Sequence, residues 1–225
     1  AGRSGQKFGD LPKIRGSLLI LVIGMVSNAI VLVASVPGLI LRLSDPDNSI
    51  HLGLYKGFLY NGEWYRLITS GFLHFGIFHI AMNMFLLYQL GTMLERELGR
   101  VNFALAYFAA LLAGSTGALI ASPWALSGGA SGAVFGLMGL AAVGMKQRGV
   151  NPFQTGLGVT LLLNLLITIT IPGISVGGHI GGLIGGAACG VVLLAPRHRR
   201  FPMWASWATP IAVGAAAFLI AYLSV

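Results

Sequence analysis

Ser131 stands in the turn Gly129-Ala130-Ser131-Gly132, directly ahead of an apolar run that ends at Lys146. A serine flanked by glycines at the mouth of a helix is a candidate nucleophile, and the same pattern also serves as a plain helix N-cap. A second glycine-flanked polar residue opens a later apolar run in the same way, in Gly177-Gly178-His179. A serine hydroxyl is a weak nucleophile until a base takes its proton. His179 is the only histidine in the second half of the apolar core and could be that base. No acidic residue lies at a matching position within an apolar run. The chemistry predicted is therefore that of a Ser-His dyad rather than a Ser-His-Asp triad. His79 and Asn83 are four residues apart and share one helical face. Together with the backbone N–H of Ser131 they are the predicted oxyanion donors. Hydrogen bonding between helices is the structural alternative for both side chains.

These residues must be positioned by elements of a particular kind. The chain has 225 residues, 56% hydrophobic and only 9% charged. Soluble domains carry about 25% charged residues, and several apolar runs approach the roughly 20 residues that span a bilayer. Strand-like alternation with a polar inner face is not visible, which argues against a β-barrel. The fold class predicted is all-α, a polytopic membrane helix bundle. The net charge of +8 does not indicate a nucleic-acid partner, because the basic residues cluster at the ends of the apolar runs. The lone Cys189 excludes an internal disulfide and reads as a small packing residue.

Residues 1–16 are polar and basic and are expected to form a cytoplasmic tail. Residues 17–196 hold six apolar runs, and residues 197–225 a basic linker and a seventh. The first run covers 17–41. Residues 43–74 mix aromatic side chains with a few charges, as suits a folded loop partly immersed at the membrane interface. Within that loop, Glu63-Trp64-Tyr65-Arg66 has two readings: Trp64 at the headgroups with Arg66 snorkelling, or a Glu63–Arg66 contact that stiffens the loop. The second helix is predicted over 75–95, followed by a charged turn of Glu95, Arg96, Glu97 and Arg100, and the third over 101–121. His74 is expected to be a structural hydrogen-bonding residue at the loop junction. The fifth helix is predicted over about 154–171, with Asn164 bonding between helices, and the sixth from near Gly178.

The fourth helix, Ser131 to Lys146, is the short one. At 1.5 Å per residue it covers roughly 23 Å, against a hydrocarbon core of about 30 Å. With Lys146 at one interface, Ser131 lies below the other, at the bottom of a depression. Gly178, Gly182, Gly186 and Gly190 recur every four residues on the sixth helix, and the fourth offers Gly132, Gly136 and Gly139. Small-residue stripes let two helices approach closely, which would bring Ser131 and His179 together. Phe135, one turn after Ser131, is placed either to pack on the His179 ring or to serve as ordinary core. Of the 14 Lys and Arg residues, only Arg42, Lys56 and Arg66 fall on the side away from the N-terminal tail. That bias predicts a cytoplasmic N-terminus and puts Ser131, His179, His79 and Asn83 near the outer face. No metal-ligand motif and no pair of intramembrane aspartates is present, so neither metal nor cofactor is expected.

The motifs Glu63-Trp64-Tyr65-Arg66, His74, His79-Ile80-Ala81-Met82-Asn83, Gly129-Ala130-Ser131-Gly132 and Gly178-His179-Ile180-Gly181-Gly182 occur in this order. In that order they resemble the rhomboid family of intramembrane serine proteases. The resemblance implies a six-helix rhomboid-like core with a seventh C-terminal transmembrane helix. It also implies a Ser131/His179 dyad assisted by His79 and Asn83, and cofactor-free cleavage of single-pass transmembrane substrates in the lipid bilayer. Those substrates would enter laterally past the fifth helix and residues 171–177. A bacterial inner (cell) membrane is the expected location. Phe135 departs from the family pattern, which often has tyrosine there. A non-proteolytic rhomboid-like protein that binds transmembrane helices is the alternative, and a transporter the third class considered. Neither an inverted repeat nor an intramembrane acidic ion site favours a transporter.

Overall fold

The structure, a computed structural model, describes residues 30–40, 50–196, 198 and 201–225. The expected tail at 1–16 and most of the first span lie outside the described residues. Among the described residues the chain is helical, with a single isolated antiparallel bridge between Leu54 and Ser127. The helices are α1 (Ile30–Ile40), α2 (Lys56–Tyr60), α3 (Arg66–Thr69), α4 (Ile77–Leu98), α5 (Arg100–Ala121), α6 (Ser131–Gln147), α7 (Leu157–Thr170), α8 (Val176–Leu193) and α9 (Ala205–Ser224). Four of them, α4, α5, α8 and α9, are long and apolar enough to cross a membrane. Between their first and last turns, the backbone polar groups of such segments are bonded within the segment, which is what a bilayer demands.

Helix α6 is the axis of the bundle. Every residue from Gly132 to Ala141 is buried, and Ala133, Leu137, Met138 and Leu140 are wholly enclosed. It has no polar face because no side of it meets solvent or lipid. Helices α5 and α8 flank it. Glycine makes the α6–α8 approach possible: a Cβ on Gly182 would fall on the Gly132 carbonyl, and one on Gly186 on the Gly136 carbonyl. Cys189 sits in the same core, fully buried.

Several element boundaries differ from the sequence reading. Helix α4 does not stop at 95 but continues through Glu95, Arg96 and Glu97 to Leu98. Charged residues are good helix formers, and the chain turns only at Gly99, whose φ of 76° is a glycine conformation. Helix α8 begins at Val176 rather than near Gly178, because the Ser175 hydroxyl caps it by accepting from the Gly178 N–H at 3.1 Å. Helix α7 is shorter than expected. Asn164 does not bridge helices: its amide donates to the Thr160 carbonyl of its own helix at 2.8 Å.

The described part of the loop before α4, residues 50–76, is folded on itself. Arg66 is buried, and its guanidinium donates through Nε and Nη2 to Glu63 Oε2, at 2.8 and 2.6 Å. It donates also to the carbonyls of Ile50 and Gly53 and lies 4.0 Å over the Phe58 ring. The stiffening contact is thus the arrangement found. The Tyr65 hydroxyl donates to the same carboxylate oxygen at 2.8 Å. That bond first, and Arg66 second, hold the Glu63 carboxyl below its ordinary pKa. Trp64 packs on Phe218 and Tyr222, so α9 braces the loop. The Thr116 hydroxyl, donating at 2.8 Å to the Ala217 carbonyl, ties α5 to α9.

Candidate active site

Each of the four singled-out polar side chains stands in the first two turns of a helix. Ser131 opens α6, His179 is in the first turn of α8, and His79 and Asn83 are in the first two turns of α4. Close packing of α6 on α8 places Ser131 Oγ 2.7 Å from His179 Nε2. The Phe135 ring, one turn into α6, stacks on the imidazole with centroids 4.1 Å apart and planes 16° from parallel. That contact restrains the ring on its face while Ser131 holds one edge.

The Ser131 end of α6 is shaped by the loop before it. The N–H of Gly129 donates at 2.8 Å to the Ser70 carbonyl, fastening this loop to the one before α4. Gly129 has φ +124°, and a Cβ there would lie 2.7 Å from His79 Cε1 and Nε2 and 3.7 Å from Ser131 Oγ. The Gly129 backbone therefore fits between the His79 ring and the serine, a space no other residue could share. The Phe75 N–H points at His79 Nδ1 across a long 3.4 Å, which leaves Nε2 as the protonated nitrogen, on the Gly129 side. At the start of α6 the first backbone N–H groups have no helical partner and are available to an anion.

Asn83 is not joined to this cluster. Its amide donates at 2.8 Å to the His79 carbonyl one turn earlier, and no hydrogen bond links it to Ser131 or His179. Its second amide hydrogen remains uncommitted. His74 is fully buried against the His79 ring, centroids 5.0 Å apart, and neither of its nitrogens makes a well-formed hydrogen bond. The hydrogen-bonding role expected for it is reduced to a weak interaction with the Phe72 backbone. Burial, and secondarily the charge His79 could carry, push the His74 pKa down to about 4, so it is a neutral packing group.

One contact was invisible in the sequence. Thr168 of α7, 2% exposed, places its hydroxyl 2.7 Å from His179 Nδ1. Nothing in an apolar helix holding Thr160, Thr168 and Thr170 marks the middle one. Only the register of α7 on α8 does so. Beside Ser131 a cavity of about 40 Å³, large enough for water, is lined by apolar side chains such as Leu54 and Leu111 together with the hydroxyl-bearing Ser70, Ser115, Ser127 and Ser175. Among the described residues no group of three or more His, Cys, Asp or Glu side chains is placed to hold a metal ion.

A family model, the Rhomboid domain, matches residues 61–196, more than half of the chain. The chain belongs to the rhomboid family. Among relatives, this rhomboid chain is 38% identical over 121 residues to the Rhomboid protease GluP of Bacillus subtilis (strain 168), which covers 52% of the chain and 24% of that protein. It is 41% identical over 81 residues to the Putative rhomboid protease YdcA of the same organism, covering 36% of the chain and 41% of the relative. With Rhomboid-like protease 1 of Toxoplasma gondii it shares 32% identity over 176 residues, 73% of the chain and 59% of that protein. The chain thus spans less than two thirds of each of these relatives. It is an integral membrane protein, as its family and its apolar helices together establish.

Proposed function

We propose that this rhomboid chain is an intramembrane serine endopeptidase that cleaves transmembrane or juxtamembrane segments of membrane proteins. The observation that carries the reading is the 2.7 Å contact between Ser131 Oγ and His179 Nε2. Relatives named as proteases support it. Ser131 Oγ attacks the scissile carbonyl while its proton passes to His179 Nε2. The developing oxyanion is met by the Ser131 N–H and by His79, with Asn83 contributing once its free amide hydrogen turns toward the site. Collapse breaks the C–N bond, and the leaving amine takes the proton from His179. A water then hydrolyses the acyl-enzyme, with His179 as base again. The cavity beside Ser131, with serine hydroxyls in its lining, gives that water a place close to the reacting carbon.

Substrates are single-pass membrane proteins that enter laterally. Helix α7, packed only sparsely on α6 and α8, is the side of the bundle that gives way. We place the N-terminus in the cytoplasm of a bacterial cell, the seventh helix α9 across the inner membrane, and the site near its outer face. The test is cleavage of a transmembrane reporter in proteoliposomes, with the cut mapped by mass spectrometry. Ser131→Ala and His179→Ala should each abolish the product while helical content is kept, and a fluorophosphonate probe should label Ser131. Undiminished product from either variant would refute the dyad.

A further inference from the structure

We propose that Thr168 is a positioning residue that fixes the tautomer of His179 and so keeps Nε2 free to accept the Ser131 proton. The proposal rests on the dyad reading above. A threonine hydroxyl has one hydrogen to give. The Thr168 Oγ1 lies 2.7 Å from the Asn164 carbonyl and 2.7 Å from His179 Nδ1. A carbonyl can only accept, so the hydroxyl hydrogen goes to Asn164 and Oγ1 faces the imidazole with a lone pair. Nδ1 must then carry the ring hydrogen. Nε2 is left bare, 2.7 Å from Ser131 Oγ, and can only accept from it. For a neutral imidazole, all three contacts are hydrogen bonds in this arrangement and in no other.

The chain from Ser131 through His179 and Thr168 ends on a backbone carbonyl. It does the orienting that a buried aspartate does in a triad, without placing a charge inside the membrane. The burial of Thr168 matters, since water would otherwise accept from Nδ1 whatever stood there. Thr168 is also one of only two buried residues of α7, the other being Gly158. Movement of α7 away from α8 would withdraw the acceptor and free the ring to rotate or change tautomer.

The test compares the full chain with Thr168→Val, which removes the hydroxyl at nearly constant shape, and Thr168→Ser, which keeps it. The ring nitrogens of His179, labelled with nitrogen-15 and assigned by loss of signal in His179→Asn, report the tautomer directly by NMR. Wild type should show hydrogen on Nδ1. Thr168→Val should lose that preference, and its kcat should fall about 10- to 100-fold with little change in KM, the range expected for a buried donor left unpaired. Thr168→Ser should recover both signals, a rescue that a merely space-filling threonine would not give. Hydrogen on Nε2 in the wild type, or a Thr168→Val protein with unchanged kcat and ring pattern, would overturn the proposal. Failure of Ser131→Ala to lose activity would instead refute the dyad, and the ring measurement would still judge Thr168. Should Thr168→Val fold poorly, the wild-type and Thr168→Ser ring patterns decide alone.

Discussion

Gly182→Ala is the sharpest test of how the site is assembled. Gly182 lies one turn beyond His179 on α8, against Gly132, the residue after Ser131. A Cβ at 182 would fall on the Gly132 carbonyl oxygen and 2.7 Å from its carbon, where ordinary contact begins at 3.4 Å. The helices would have to part by at least about 0.7 Å at this level, and further to clear the oxygen. Neither side can absorb that by a rotamer change, since both are helical backbone. The 2.7 Å Ser131–His179 contact would lengthen to beyond about 3.2 Å, the working limit for proton transfer. Displacements near 1 Å cost on the order of 10²-fold in rate, and overpacking of a core costs about 1–3 kcal/mol of stability. The assay is reporter cleavage in proteoliposomes alongside thermal unfolding in detergent. Gly76→Ala is the control, because Gly76 is extended at φ 166° and a Cβ there meets nothing within 4 Å. Its unfolding should stay within about 0.5 kcal/mol of wild type. A Gly182→Ala protein as active as wild type would refute the claim that glycine-mediated approach sets the dyad distance.

Two further outcomes follow from named contacts. Glu63 has its pKa lowered in the folded protein, so its contribution to stability is complete above its ordinary value of 4.5 and is lost as pH falls through the lowered native value. Thermal unfolding of the wild type should therefore weaken below about pH 4.5 more steeply than that of Glu63→Gln, and parallel curves would show the Glu63–Arg66–Tyr65 cluster to be inert. Phe135→Ala should destabilise the fold by about 3–5 kcal/mol and reduce cleavage, whereas Phe135→Tyr, which keeps a ring over His179, should retain most of the activity. Equal activity in the two variants would mean that stacking does not orient the imidazole.

The sequence carried the site further than it carried the boundaries. Ser131 and His179 could be paired in advance because each is a polar residue at the glycine-marked start of an apolar run, and because facing glycine stripes leave little choice of which helices touch. The end of α4 could not be read from its charges, since a helix in a membrane protein continues through Glu95-Arg96-Glu97 wherever its end projects from the bilayer. The partners of His74 and Asn164 are not legible in the sequence because a polar side chain inside an apolar segment has two outlets, a neighbouring element or its own preceding turn. Only the packing selects between them: Asn164 took its own helix and His74 took an aromatic neighbour. Thr168 went unread because its importance lies wholly in the register of two helices, which no local pattern encodes.

Helix α6, at 17 residues, covers about 25 Å, yet nearly all of it is sheathed by other helices. Hydrophobic mismatch acts on surfaces that lipid tails can reach, so a thicker or thinner bilayer should tilt or strain the outer spans such as α4 and α9 while the serine-bearing helix rides inside them as in a sleeve. The depth of Ser131 is thus a property of the protein rather than of its surroundings. Acyl-chain length would then act on the outer spans, leaving Ser131 and His179 where they are.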